Sequence, residues 1–136
     1  MQSRTLLTLT GAGLALVIAG AVHAADPAAP TENKGVGVES LQSFDLSKDY
    51  PGLDGRQLRM RRITLAPGGI AAYHSHKDRP SISYGLAGEI TDHRDGEGVK
   101  KYTAGQSFPE PTGLNHWVEN TGTVPAVIVG VDIFHQ

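Results

Sequence analysis

The sequence predicts an all-β fold, a closed antiparallel barrel or two-sheet jelly roll carried on one domain. Short runs of β-branched and aromatic residues recur from Val36 onward, divided by Gly, Pro, Asp and Asn. No stretch holds a sustained helical period. Seventeen Gly and eight Pro among 136 residues suit a chain of many tight turns.

The first 24 residues stand apart from that domain. Arg4 precedes an apolar run from Leu6 to Ala19, and Val22-His23-Ala24 places small residues at the positions that flank a cleavage site. This is the pattern of a secretory signal peptide cut after Ala24, giving a periplasmic or secreted protein. Gly11, Gly13 and Gly20 interrupt a run already short for a membrane anchor. Residues 25–35, rich in Ala, Pro and polar side chains, are expected to form a flexible leader. Residues 36–136 form the domain.

Within it, strands are expected at Gln57–Leu65, Ile70–His76, Ile82–Leu86, Glu89–Arg94, Val99–Tyr102, Gln106–Phe108, His116–Glu119 and Ala126–Phe134. Asp95-Gly96 is a hairpin signal, because Gly supplies the positive φ of a tight turn. Leu41–Leu46 is the best candidate for a helix, of one turn or so.

Composition excludes several classes of function. With no Cys there is no lipid-anchored N-terminus, no disulfide and no thiolate metal site. Once Arg4 leaves with the signal peptide, 14 acidic residues face 11 basic ones, a net charge of −3. That gives no basic footprint for nucleic acid and no polybasic patch for a membrane surface. No nucleophile triad, phosphate loop or nucleotide fingerprint is present.

Histidine carries the chemistry. In a strand, residues two apart share a face, so His74 and His76 look the same way, with Ile70 and Ala72. Two such imidazoles grip a cation when a third completes the triangle, since neutral imidazole is a good donor to divalent metals. The punctuation around them is specific. Gly68 stands six residues before His74; Ser81 and Gly88 follow His76 at five and twelve. Later come Gly105, Pro111-Thr112-Gly113, His116 and Asn120.

In these two motifs the chain resembles the cupin superfamily, and the resemblance spans roughly residues 63–133. It implies a small single-domain barrel (double-stranded β-helix) with one divalent metal ion held by His74, His76 and His116. Fe, Mn, Zn, Ni and Cu all remain open. The usual glutamate ligand is Ser81 here, which leaves a three-His variant of the site; Asp78 and Glu110 are both candidates to replace it. Three neutral ligands would leave the metal charge uncompensated and favour an anionic or chelating substrate. The resemblance therefore implies a metal-dependent, dioxygenase-like enzyme acting on a chelating organic acid or diketone. The alternative is a non-catalytic periplasmic module that binds a metal or small ligand. No catalytic residue beyond the ligands is singled out. Family resemblance also implies a homodimer, in which Val36-Gly37-Val38 adds to the partner's sheet.

Of the remaining groups, Arg59 and Arg61 share a strand face and are candidates to pair with a carboxylate. The segment Lys77-Asp78-Arg79 is expected at the barrel rim. Ser81, Ser83 and Gly85 should face inward and leave room for a ligand. His93 and His135 are expected to be exposed.

Overall fold

A computed structural model describes residues 28–135. The expected signal peptide, His23 included, lies outside the described residues. Eight strands follow in chain order: β1 (Lys34–Asp45), β2 (Arg56–Ser75), β3 (Ser81–Ala87), β4 (Glu89–Arg94), β5 (Gly98–Thr103), β6 (Ser107–Glu110), β7 (Asn115–Glu119) and β8 (Ala126–His135). The described residues contain no helix.

Every pairing is antiparallel, in the spatial order β5-β4-β7-β2-β8-β3-β6, with β1 added to β2. The sheet curls until its ends nearly meet. Gly85 binds the β5–β6 connection to β3, its N–H donating to Gln106 O and its carbonyl accepting from Gly105 N, both at 2.9 Å. Near-closure hides backbone groups that an open sheet would leave at its edges. Leu65, Ile90, Phe108, Val118, Ala126 and Ile128 form the apolar centre.

The two strands expected on either side of Pro67-Gly68-Gly69 are one bent strand. Its first half pairs with β8 from Arg56 to Leu65, and its second half pairs with β7 from Ile70 to Ser75. Pro67 is tolerated at this bend because Ala66, Pro67 and Gly68 are exposed there. At the β3–β4 corner, Gly88 has φ +67°, and a Cβ there would lie 2.7 Å from the Pro125 carbonyl oxygen. A side chain therefore has neither the backbone conformation nor the space it needs.

β1 departs from expectation at both of its ends. The expected helix at Leu41–Leu46 is strand as far as Asp45, paired with Leu58 and Gln57 through Phe44 and Asp45. Leu46, buried, starts a turn that accepts bonds from Asp49 N and Tyr50 N. Val36, Gly37 and Val38 pair with Leu65, Thr64 and Ile63 of their own chain. The strand opens at Lys34, inside the expected leader. Pro30 and Asn33 also bind β2, through Tyr73 N to Pro30 O and Ala72 N to Asn33 Oδ1, both 2.8 Å.

Candidate metal centre

His74 lies directly opposite His116 in the β2–β7 ladder, and His76 follows just beyond the end of β2. The register slips by one residue between Ala71 and His74, so β2 bulges at Ala72-Tyr73. The slip changes which residues face inward. Ala71, not Ala72, pairs with Val118 and packs on the core, yet His74 and His76 still share the inner side. The expected continuous face Ile70–Ala72–His74–His76 is corrected accordingly.

The three rings form a compact triangle, with centroid separations of 5.2 Å (His74–His76), 4.5 Å (His74–His116) and 4.9 Å (His76–His116). One ligand nitrogen from each lies within 4.8 Å of the others. Hydrogen bonds set the tautomers. His74 Nδ1 is 2.8 Å from Ala72 O, His76 Nδ1 is 3.1 Å from Arg79 O, and His116 Nδ1 is 2.8 Å from Asp92 Oδ1. A carbonyl or carboxylate oxygen accepts and does not donate, so each Nδ1 carries a proton, and in the neutral ring Nε2 is then a bare lone pair.

Two of those lone pairs, on His74 and His116, are 3.1 Å apart. Bare lone pairs at that distance repel unless a proton or a metal cation lies between them. The donor set therefore fits a divalent metal. Burial lowers the His74 pKa, and burial also lowers that of His76 to about 4, outweighing the opposing pull of the Glu110 charge. Both rings are thus neutral and ready to ligate near pH 7.

A carboxylate is also present, supplied by β6. Glu110 pairs with Ser81 across the strands, and its Oε2 accepts from Ser81 Oγ at 2.7 Å and Ser83 Oγ at 3.0 Å. Its other oxygen is 3.9 Å from His116 Nε2. The serine at the glutamate position thus holds a glutamate from the next strand, and the charge expected to go uncompensated has a partner. Asp78, the other candidate, is exposed at the rim with φ +53°, its carbonyl accepting from Arg56. Ser81, Ser83 and Gly85 do face inward, with Ile82, Tyr84 and Leu86 outside.

Two buried carboxylates that support the site gave no motif signal. Asp92 accepts from His116 and from Arg94 Nε at 2.7 Å, and Arg94 in turn donates to Pro109 O. Burial would raise the Asp92 pKa, but its bonds to His116 and Arg94 prevail and hold it below the usual carboxylate range. Asp132 accepts from Arg59 at 3.1 and 2.8 Å and from Arg61 at 2.9 Å, with Arg79 at 3.5 Å. Alternation with neighbouring inward residues of β8 was the signal available for Asp132: Ala126, Ile128, Gly130 and Asp132 are buried in turn.

The three histidines and Glu110 open on a cavity of about 400 Å³, whose lining also includes Arg61 and Arg79. Its floor is kept open by Gly130, where a Cβ would come within 3.2 Å of Ser83 Oγ. His93 is not fully exposed as expected. It stacks on Trp117 at 3.6 Å and bonds Glu119 at 2.9 Å, on the outer side of the sheet. His135 is exposed, at the end of β8.

A single-domain β-barrel with a converging histidine triangle defines the class, and comparison with known proteins agrees. Residues 61–134 match the Cupin_2 model, described as a cupin domain; the chain belongs to this family. It is 34% identical over 84 residues to Germin-like protein 3-1 of Oryza sativa subsp. japonica, covering 58% of this chain and 37% of that protein. It is 32% identical over 86 residues to Nectarin-1 of Nicotiana plumbaginifolia, covering 60% and 38%. The chain thus spans well under half the length of these curated relatives.

Among solved structures, an oxalate oxidase aligns with TM-score 0.56 and 28% identity over 72% of this chain and 50% of its own. The Cupin_2 domain of an XRE family transcriptional regulator from Enterobacter cloacae aligns with TM-score 0.59 at 16% identity, over 76% and 100%. The second likeness bears on the fold alone.

Proposed function

We propose that this cupin is an exported, metal-dependent enzyme of small organic acids, with one divalent ion bound by His74, His76 and His116 and by Glu110 as a fourth ligand. The observation that carries the reading is the convergence of three histidine rings, each held through Nδ1, beside a hydrogen-bonded carboxylate, in a cavity of small-molecule size. The likeness to an oxalate oxidase supports an acid over a diketone and keeps dioxygenase-like chemistry as the leading class.

A divalent ion bound there would polarise a chelated substrate and, in a redox-active metal, support electron transfer to dioxygen. The chain's own residues do the rest. Asp92 holds the His116 ring in the ligating tautomer, and the carbonyls of Ala72 and Arg79 do the same for His74 and His76. Ser81 and Ser83 aim the Glu110 carboxylate, and the walls of Ile63, Leu65 and Phe108 limit water. Export rests on the apolar run Leu6–Ala19 and the small residues before Ala25; among the described residues no helix is long and apolar enough to cross a membrane.

The test is to load the mature protein in turn with Mn, Fe, Co, Ni, Cu and Zn and to follow oxygen uptake and carbon dioxide release with a panel of small acids and diketones. Turnover of an acid with at least one metal is expected. Tight metal binding without turnover of any compound would make the protein a binding module instead.

A further inference from the structure

Three guanidinium groups, of Arg59, Arg61 and Arg79, surround one carboxylate, that of Asp132. They are not used equally. Arg59 is committed: it makes two bonds to Asp132 through Nε and Nη2, its guanidinium carbon sits 3.9 Å above the Phe134 ring, and it does not line the cavity. Arg61 and Arg79 do line it. Arg61 spends one nitrogen on Asp132, while its Nε is buried without a hydrogen-bond partner, the one such side-chain atom found among the described residues. Arg79 is held by two long contacts, 3.5 Å to Asp132 and 3.4 Å to Ser75 O.

A guanidinium has five donors in a planar fork, suited to a carboxylate. Leaving such donors unpaired in a partly buried site is costly, and native proteins seldom do so without a reason. One carboxylate does not neutralise three cations, and Glu110, whose charge is felt at Arg61, makes no hydrogen bond to them: its Oε2 is taken by Ser81 and Ser83. Arg79 is also joined to the histidine triangle, since its carbonyl accepts from His76 Nδ1. The spare positive charge and the histidine triangle therefore open on the same cavity.

We propose that Arg61 and Arg79 form a second anchor in the substrate site, which takes a carboxylate remote from the chelating end of the ligand. The substrate class is then a small acid with two anionic ends. One end carries the chelating oxygens and meets the metal; the other is gripped by the guanidinium forks. Neutral diketones and monocarboxylates of equal chelating power lack that second grip. The inference rests on the reading of His74, His76 and His116 as a metal centre.

The test compares two 2-hydroxy acids with the same chelating end, malate and lactate, in both enantiomers, by calorimetric titration into cobalt(II)-loaded protein. Cobalt uptake is measured first, by its visible absorption in wild type and in His74→Ala. If cobalt fails to bind, or binds regardless of His74, the metal reading itself fails. With cobalt bound, one malate enantiomer should bind at least about tenfold tighter than lactate, the scale of one charged hydrogen bond. Arg61→Met and Arg79→Met, each checked by thermal melting and cobalt content, should erase most of that preference, lowering malate affinity far more than lactate affinity. Equal binding of malate and lactate by the wild type would overturn the proposal without any variant. So would a malate preference that survives both substitutions.

Discussion

At the scale of single residues, the site depends on how each imidazole is oriented. His74→Ala, His76→Ala and His116→Ala should each remove most of the bound metal, whereas His93→Ala and His135→Ala should leave it; metal content of the purified proteins checks this. Asp92 does not line the cavity, yet it fixes the His116 tautomer. Asp92→Asn should therefore lower metal affinity by about 10–100-fold with the fold retained. Asp132 has a pH signature of its own. Burial would raise its pKa, but the Arg59 bond and the charges of Arg61, Arg59 and Arg79 together hold it below the ordinary value. The unfolded chain thus takes up that proton first as pH falls. The contribution of Asp132 to stability is fully present above the ordinary carboxylate range and is lost as the pH drops through the lowered folded value. Asp132→Asn should cost about 2–3 kcal/mol near neutrality, discounted for arginines that remain partly solvated. Urea melts of wild type and variant should converge toward strong acid.

At the scale of elements, the corners decide whether the histidines meet. β2 must bend at Pro67-Gly68-Gly69 and bulge at Ala72-Tyr73 to bring His74 opposite His116. Asn120 fastens the far side of that corner, with Nδ2 donating to Leu65 O at 3.0 Å and Val124 O at 2.8 Å. Gly88 turns β3 into β4 under a close carbonyl. Gly88→Ala should cost about 2 kcal/mol or more, from a disfavoured backbone conformation and the clash together. Chemical denaturation measures that loss, and metal content per folded molecule should stay near that of wild type.

At the scale of the whole molecule, the outer face of the β2–β8–β3 region is unusually apolar. Met60 pairs with Val131, which pairs with Ile82, and Val129 pairs with Tyr84, all on the outside. Ile82 is 65% exposed and Leu86 53%. We propose that two copies associate through this apolar face, in the homodimer that family resemblance implies. Ile82→Glu should shift the protein to monomer without loss of metal. Light scattering coupled to size-exclusion chromatography would show it, and a wild type that is already monomeric would sink the idea.

Much of this molecule could be read from its residues in order. Turn residues between β-branched runs marked seven of the eight strands, and the spacing of Gly68, His74, His76, Gly105 and His116 identified the cupin barrel and its three convergent histidines, because backbone turns and strand alternation are local properties. Of β1 only Val36–Val38 was expected to be strand, because it is an outer edge strand: most of its side chains are exposed, so it has little alternation to read and is held by backbone pairing to β2. The rest was decided by tertiary structure. Which carboxylate stands beside the histidines, Glu110 and not Asp78, depends on the register of β3 against β6. That Arg61 keeps a buried donor without a partner depends on how two arginines of β2 and one of the rim segment crowd a single aspartate of β8. Such choices follow from distances between residues far apart in the chain, and spacing along one strand carries no information about them.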